Sequence, residues 1–526
     1  MMKTINKLLI LLIISVYCNG QLLRSSDEVT LKNTCIPRQV RLLIGEDYSN
    51  YNITEIKNSA TIIFQTYGEC LQSSISVIVQ NSQVVTYDGN IFSEIVHSQW
   101  NGEKFCHHNK LCTNMYYDQY VHIFRLPLPF GVPFTYTVYG NLYSKAETKG
   151  PFNSQLPLVK LENNESPNEK PQRILFFGDQ DNTPDGKLNM NRWRQLKKEG
   201  LRNKQEKIDF MLFLGDYAYE FYMFNGKRGD HYLDSLEEFV TEWPTAMQAG
   251  NHEDNYNFKF YNEKFRMPSF NETSNNYYSF NQGLAHFIGV NLHFYDSWAT
   301  PEEKSKMVQW VEQDLIRATQ NRNQTPWIIA FGHKPIYCSG DSDCQGFPQS
   351  FQEFDELFYQ YSVDLYLGAH VHRYQFLKPL YDNCIQSYEG DDKNIFNPQG
   401  MISVIQGNGG HVLEFLEDLK YDLQFLGKTD ERVFEIKNYV GYGILEIYNS
   451  TTLCLQNIRS LLNKVESTHC IHSKHYFDNT KINRTKSNEN IKVNSIFQYL
   501  FFTILAISSI IAFYFAYKFL LKYINQ

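Results

Sequence analysis

The sequence predicts an α/β protein in which an all-β sandwich precedes a layered α/β domain and one transmembrane helix follows near the C-terminus. Three observations support this order. Residues 21–165 contain short β-branched and aromatic runs between turn residues, with no long helical period. Residues 172–457 alternate strand-like apolar runs with amphipathic stretches. Residues 496–517 are mainly apolar and long enough to cross a bilayer of about 30 Å.

The composition is that of a folded protein with more than one domain. The chain has 526 residues, a formal net charge of −8 and 42% hydrophobic residues. This apolar content excludes a wholly disordered chain, and the mild acidity argues against a nucleic-acid partner. A mean hydropathy of −0.43 excludes a polytopic membrane protein but not a single span.

The N-terminal and C-terminal segments of the chain predict its cellular compartment. Lys3 and Lys7 precede an apolar run at residues 8–16, which is typical of a signal peptide covering residues 1–20. A buried N-terminal helix is disfavoured because no polar face interrupts the run. At the other end, a polar stalk at 458–495 leads to the span at 496–517 and a cytosolic tail at 518–526. A glycolipid-anchor signal would end in an apolar tail, whereas this chain ends in polar residues.

We therefore expect a single-pass type I membrane protein whose catalytic domain is lumenal or extracellular. Glycosylation sequons and cysteines agree with the secretory pathway. The candidate acceptors are Asn52, Asn164, Asn271, Asn323, Asn449 and Asn483. Short spacings suggest disulfides Cys106–Cys112 and Cys338–Cys344. Nine cysteines remain after signal removal, so at least one is free or pairs between chains.

The first domain, 21–165, is predicted to be a sandwich of the immunoglobulin or fibronectin kind. Its apolar runs lie at residues 39–45, 60–64, 75–79, 121–126 and 134–139. A polar segment with two prolines, 163–171, then separates it from the second domain.

The second domain, 172–457, is predicted to contain buried strands and at least one amphipathic helix. The strands lie at residues 173–177, 210–214, 287–290, 327–331 and 363–367. An apolar stripe that includes Trp310, Val311 and Leu315 predicts a helix over residues 301–320.

Polar side chains follow the strands of the second domain in five short segments. In open α/β sheets, ligands gather at the carboxyl ends of strands, so these segments are expected to converge. Carboxylates, imidazoles and an amide oxygen suit two adjacent cations, with Asp216 as the natural bridge. Paired metals of this kind serve the hydrolysis of phosphate esters. The segments are Gly178-Asp179, Gly215-Asp216 with Tyr219, Gly250-Asn251-His252, Gly332-His333 and Gly368-Ala369-His370-Val371-His372.

These segments, over roughly residues 36–457, resemble those of the purple acid phosphatases, within the calcineurin-like metallophosphoesterase superfamily, and most closely the larger animal-type members. The resemblance implies the layered α/β sandwich of that superfamily. It also implies hydrolysis of small phosphate monoesters by hydroxide activated at an Fe(III)–M(II) centre. By motif, Asp179, Asp216, Tyr219 and His372 would hold Fe(3+). Asp216 would bridge to Fe, Zn or Mn held by Asn251, His333 and His370. His252 would be the catalytic histidine that serves the leaving group.

Two departures from the family pattern leave alternatives open. Asp181 stands where the family usually has glycine, and it is either an extra carboxylate near the iron or a helix cap. No histidine occurs between His333 and His370, where many members have a further substrate histidine. These departures leave two rival functions. One is a phosphodiesterase or pyrophosphatase with the same metal ligands, and the other is a surface binding protein with a weakened site.

Overall fold

The computed structural model of the chain describes residues 34–49, 55–80, 82–101, 116–141, 145–158, 170–224, 226–340, 349–411 and 430–473. The expected signal peptide, transmembrane segment and cytosolic tail lie outside these ranges, as do the sequons at Asn52, Asn164 and Asn483 and the Cys106–Cys112 pair. Within the described ranges, no helix is both long enough and apolar enough to cross a membrane.

The N-terminal part is built almost entirely of strands, as its alternating apolar runs predict. Its elements are β1 (Arg38–Ile44), β2 (Ala60–Thr66), β3 (Ser74–Val79), β4 (Val85–Asp88), α1 (Gly89–Phe92), β5 (Ser93–Asn101), β6 (Tyr116–Leu126), β7 (Pro133–Tyr139) and β8 (Thr148–Gln155). Four of these strands lie at one end of a larger sheet, in the order β1-β2-β6-β5. The other four form a separate sheet in the order β4-β3-β7-β8. Buried side chains of both sheets belong to one apolar cluster, so the predicted sandwich character is confirmed.

The second part combines strands and helices. Its strands are β9 (Gln172–Phe177), β10 (Phe210–Phe213), β11 (Thr245–Met247), β12 (Tyr277–Gln282), β13 (Ala285–Val290), β14 (Trp327–Phe331), β15 (Leu365–Gly368), β16 (Tyr374–Leu377), β17 (Leu380–Tyr381), β18 (Cys384–Ile385), β19 (Glu389–Gly390), β20 (Asn394–Phe396), β21 (Ile402–Gln406), β22 (Val433–Lys437), β23 (Gly441–Asn449), β24 (Thr452–Arg459) and β25 (Lys464–His472). Its helices are α2 (Pro184–Arg202), α3 (Lys227–Val240), α4 (Asn255–Lys264), α5 (Phe270–Thr273), α6 (Leu292–Ser297), α7 (Pro301–Gln320) and α8 (Gln349–Gln360).

Two sheets face each other in the centre of this part. One has the strand order β12-β13-β14-β15-β21-β16-β22. The other runs β19-β20-β25-β24-β23-β9-β10-β11 and continues into β1 of the N-terminal part. Phe210 of one sheet contacts Phe280 and Phe287 of the other, with ring centroids 5.7 and 5.4 Å apart. The predicted α/β layers are therefore two sheets packed face to face, covered by helices.

Helices cover both outer faces of this pair of sheets. Trp193 of α2 lies against Phe177, with ring centroids 4.4 Å apart, and against Phe239 of α3. On the other side, Ser279 of β12 donates a hydrogen bond to buried Asp314 of α7 at 2.9 Å. Helix α7 has the bounds that its apolar stripe predicts, and it begins with a capping box. The resulting order is helix, sheet, sheet, helix.

The two parts of the chain are joined by hydrogen bonds as well as by one continuous sheet. Strand β1 pairs with β11 in parallel at Leu43 and Thr245. Tyr136 of the sandwich donates to the carbonyl of Thr241 at 2.7 Å, and Arg41 Nε donates to the carbonyl of Lys264 at 3.0 Å. The sandwich therefore packs directly on the region around α3 and α4.

One disulfide joins two loop cysteines and another joins the neighbouring strands β24 and β25. Cys35 pairs with Cys70 and Cys454 with Cys470, two pairings that the sequence spacing did not suggest. Cys338 is disulfide-bonded as expected, while its expected partner lies outside the described residues. Cys384 is free and exposed, which agrees with the odd cysteine number.

The segment expected to be a polar stalk is folded at its start. Residues 464–472 form β25, which pairs with both β24 and β20. Its first residues are polar because they sit in a partly exposed strand rather than in an extended linker. The stalk expected at 458–495 therefore cannot begin before the end of β25.

Candidate metal centre

The site lies where the chain turns sharply after its parallel strands. Strands β9 and β10 run parallel, as do β13, β14, β15 and β21, so their carboxyl ends point the same way within each sheet. Asp179, Asp216 and His370 follow three of these strands with left-handed φ values of 57°, 55° and 72°. Non-glycine residues rarely adopt this conformation, and such strain concentrates at functional sites.

The first group of side chains contains Asp179, Tyr219 and His372. The Tyr219 hydroxyl donates to Asp179 Oδ1 at 2.7 Å and lies 3.0 Å from His372 Nε2. His372 Nε2 is 3.3 Å from the same Asp179 oxygen. Asp179 is fully buried, whereas the His372 side chain is 17% exposed. Three oxygen and nitrogen donors of the predicted iron-binding set therefore converge on one point.

The second group contains Asp216, Asn251, His333 and His370. His333 Nε2 lies 3.2 Å from Asp216 Oδ2, 3.1 Å from Asn251 Oδ1 and 3.2 Å from His370 Nδ1. Donor atoms of Asp216, His333 and His370 all lie within 4.8 Å of one another. His333 Nε2 is also 3.9 Å from Asp179 Oδ1, so the two groups are adjacent.

These donor sets fit metal ions on chemical grounds. Donor atoms about 3 Å apart are the expected neighbours in a coordination shell with metal–ligand bonds of about 2.1 Å. Burial lowers the pKa of His333, but the Asp216 and Asp179 carboxylates outweigh it and raise that pKa to about 9. Two carboxylates removed from water therefore attract positive charge strongly, as expected where cations bind.

Backbone hydrogen bonds hold the ligand atoms in place. His333 Nδ1 lies 3.0 Å from the Leu214 carbonyl, which assigns the proton to Nδ1 and leaves Nε2 as an electron-pair donor. Glu253 accepts the backbone N–H of Asp216 at 2.9 Å and that of Gly250 at 2.8 Å. Glu253 thus joins two of the strand-end turns, although the sequence suggested no role for it.

His252 lies at the open side of the site. Its Nδ1 is 2.7 Å from Glu220 Oε1, its Nε2 is 3.7 Å from Asp216 Oδ2, and its side chain is 25% exposed. Burial lowers its pKa, but the hydrogen bond that its ring donates to Glu220 and the Asp216 charge raise that pKa to about 9. Glu220 directly follows Tyr219, and its role was not predicted because only the structure shows that it faces His252.

Asp181 has partners that the sequence did not identify. Arg228 Nη2 lies 2.7 Å from Asp181 Oδ2, and His411 Nδ1 lies 3.4 Å from the same oxygen. The helix-cap alternative is wrong, because Thr183 caps α2 by accepting the N–H of Gly186. His411 follows β21 and a run of glycines, a strand-end position like those of the predicted ligands.

Other predictions concern side chains away from this centre. Tyr217, two residues before Tyr219, is not part of the centre but packs in the core, fully buried among Phe213, Tyr261 and Phe265. Asn271 and Asn323 are exposed, whereas Asn449 is half-buried and its amide oxygen accepts from Thr451. Glycosylation of these asparagines stays a prediction.

Comparisons with known proteins agree with the resemblance. A sequence model of the calcineurin-like phosphoesterase family matches residues 172–374. Acid phosphatase type 7 of Homo sapiens is 31% identical over 298 residues, which cover 54% of this chain and 64% of that protein. The Danio rerio protein of the same name is 33% identical over 48% of this chain and 58% of its own length. The chain thus spans about three fifths of the length of these animal relatives.

Plant proteins are also similar. Purple acid phosphatase 23 of Arabidopsis thaliana is 30% identical over 39% of this chain and 44% of its own length. Among solved structures, purple acid phosphatase PPD1 from yellow lupin seeds aligns with a TM-score of 0.64 and 17% identity, covering 85% of this chain and 75% of that one. This structural likeness supports the fold, including the strands before residue 172.

Proposed function

We propose that this chain, which contains a calcineurin-like metallophosphoesterase domain, is an acid phosphatase of the purple acid phosphatase type that hydrolyses phosphate monoesters. The observation that carries the proposal is the convergence of seven ligand-type side chains from five strand ends. A site that had lost its function would be expected to lose some of these ligands first. The similarity to named acid phosphatases supports the same activity.

We assign the two groups to different metals, and their donor chemistry supports this assignment. Asp179, Tyr219 and His372, with Asp216, would hold Fe(3+), and Asn251, His333 and His370, with Asp216, would hold Fe, Zn or Mn. Burial and the Asp179 carboxylate raise the pKa of Tyr219 well above its ordinary value. A phenolate there requires a strongly charged cation, which favours a trivalent ion. Such a pair of metals, when bound, supplies hydroxide near neutral pH and withdraws charge from the phosphoryl group.

The chain's own residues would bind and orient the substrate and move one proton. Glu220 holds the His252 ring through Nδ1, so Nε2 is directed towards Asp216 and the metal-binding side chains. His252 would donate the Nε2 proton to the oxygen of the leaving alcohol, which develops negative charge as the P–O bond breaks. The side chains of Asp179, Asp216 and His333 are buried, so they exclude bulk water from the side of the site opposite His252.

Metal analysis and a visible spectrum of the purified protein test the proposal. We expect iron with a second metal and a phenolate-to-iron band that disappears in Tyr219→Phe. Exposed tyrosines such as Tyr448, replaced by phenylalanine, provide a matched control that keeps the band. Zinc or manganese in both sites without iron would contradict the iron assignment. Turnover of a monoester, a diester and a nucleotide compared side by side would reveal a phosphodiesterase or pyrophosphatase instead.

We further propose that the catalytic domain is lumenal or extracellular in a single-pass type I membrane protein. The disulfides Cys35–Cys70 and Cys454–Cys470 support an oxidising compartment. The exposure of Asn271 and Asn323 is compatible with glycosylation there. Endoglycosidase treatment should increase the mobility of the expressed protein, and protease added to intact microsomes should leave this domain uncut. Cleavage of the domain in intact microsomes would contradict the topology.

A further inference from the structure

A third histidine, His411, reaches the open side of the centre from an element that carries no predicted ligand. Its ring stacks on Tyr219 with centroids 3.3 Å apart and planes 3° apart. The His411 centroid lies 5.4 Å from that of His372 and 6.4 Å from that of His252. Its side chain is 24% exposed, close to the 25% of His252. His252, His372 and His411 therefore surround Tyr219, and each of the three side chains is partly exposed.

A glycine run places His411 there. A Cβ on Gly409 would lie 2.2 Å from the Gly178 carbonyl oxygen, so only glycine permits this close approach. Gly410 has a φ of 124°, which other residues rarely adopt. The His411 N–H then donates to the Asp179 carbonyl at 2.9 Å. The backbone after β21 is thus hydrogen-bonded to the turn that carries Asp179. This attachment determines the position of the His411 side chain.

Asp181 and Arg228 orient the His411 ring. Asp181 Oδ2 lies 3.4 Å from His411 Nδ1 and 2.7 Å from Arg228 Nη2. The Asp181 side chain is only 4% exposed, so its charge is held in place by these two partners. Because Nδ1 lies on the Asp181 side of the ring, the other ring nitrogen, Nε2, is the atom left for a ligand.

We propose that His411 contacts the substrate, with Nε2 donating a hydrogen bond to a phosphoryl oxygen, and that Asp181 and Arg228 are positioning residues for it. This inference rests on the proposed phosphatase function. It assigns Asp181 to substrate binding through His411 rather than to the metal shell. The ligand class is a phosphate monoester dianion or its product, inorganic phosphate.

The test compares His411→Phe, which keeps an aromatic ring on Tyr219, with His411→Gln, which restores an N–H donor. His231→Phe changes an exposed histidine on α3 and is the matched control. The dissociation constant of inorganic phosphate is measured by calorimetry on the metal-containing protein, together with KM, kcat and iron content. A hydrogen bond to a charged group corresponds to roughly a tenfold or greater change in affinity.

We expect His411→Phe to raise the phosphate dissociation constant and KM about tenfold or more, with iron content and the visible band unchanged. His411→Gln should recover part of this loss, and Asp181→Asn should produce a smaller increase in both constants. Unchanged phosphate affinity in an active His411→Phe protein would overturn the inference. Loss of iron in that variant would also overturn it, since His411 would then support Tyr219. A wild-type protein that neither binds phosphate nor turns over a monoester would contradict the proposed function itself.

Discussion

The buried ion pair between Asp230 and Lys264 leads to a quantitative prediction about how the two parts of the chain hold together. Lys264 Nζ lies 2.7 Å from Asp230 Oδ1, and the two side chains are 0% and 7% exposed. Gln119 of β6 donates to the other Asp230 oxygen at 2.7 Å, and Lys264 donates to Gln65 of β2 at 3.1 Å. The pair therefore connects α3 and α4 with two strands of the sandwich.

The informative change is Asp230→Asn, which removes the charge but keeps the size and an acceptor for Gln119. Lys264 must then stay charged without the Asp230 carboxylate or release its proton. Breaking a buried pair usually costs about 3–5 kcal/mol. Releasing the proton at pH 7 from the ordinary pKa of 10.5 sets an upper limit of about 4.8 kcal/mol, at about 1.36 kcal/mol per pH unit. With about 2.1 cal/mol/K of unfolding entropy per residue over roughly 380 described residues, Tm should fall by about 4–6 °C.

The pH dependence identifies the cause of this loss. Burial already lowers the pKa of Lys264 in the wild-type protein. We expect the folded variant to release this proton at neutral pH, whereas the unfolded chain keeps it on Lys264. Stability therefore rises with pH, and the deficit should shrink by about 1.4 kcal/mol per pH unit, or about 2.7 kcal/mol from pH 7 to pH 9.

The measurement is differential scanning calorimetry of wild type and variant at both pH values. The double variant Asp230→Asn/Lys264→Met removes both charges, so most of the lost stability should return and the pH-dependent deficit should disappear. A Tm within about 1 °C of wild type at pH 7 would refute the reasoning. So would a deficit that is the same at both pH values and that Lys264→Met does not reverse.

Three further predictions concern catalysis and acid stability. Glu220→Gln should lower kcat by roughly tenfold or more and shift the alkaline limb of the pH–activity profile to lower pH, because Glu220 raises the pKa of His252. An unchanged pH–activity profile would exclude this role of Glu220. Asp216→Asn should lower activity far more than His252→Ala, because Asp216 would bind both metals whereas His252 would only donate a proton. Equal losses of activity in parallel assays would count against a bridging Asp216. Burial lowers the pKa of His122 from 6.5 to about 4, so protonation of the unfolded chain should remove up to about 3 kcal/mol of stability as the pH falls from 6.5 to 4. His122→Phe should therefore gain Tm relative to wild type between pH 7 and pH 4.5, and a constant Tm difference would show that His122 does not contribute.

Local signals predicted much of the architecture, because they depend on side chains that are close in sequence. The apolar stripe of residues 301–320 defines α7, whose bounds match the structure. The alternating runs in the N-terminal part define β1, β2, β3, β6 and β7, although β4, β5 and β8 were not predicted. Periodicity reports whether one face of an element is buried, and an exposed strand such as β4 carries little of that signal.

The sequence predicted those residues of the candidate site that directly follow a strand, because the ends of neighbouring parallel strands converge. Asp179, Asp216 and His333 each follow a buried strand, and parallel strands bring their carboxyl ends to one edge. Asp181 could not be interpreted in this way. Its neighbours in sequence suggest a cap, but its charge is balanced by Arg228 and His411, which come from other elements.

By itself, the sequence determined the order of sandwich and α/β layers and the residue types able to bind two metals. These follow from periodicity and from polar residues at the ends of apolar strands. Tertiary structure alone decided that Glu220 faces His252, that His411 covers Tyr219 and that Cys35 pairs with Cys70. Such contacts join residues whose distance depends on the whole chain path, so no local pattern of side chains encodes them.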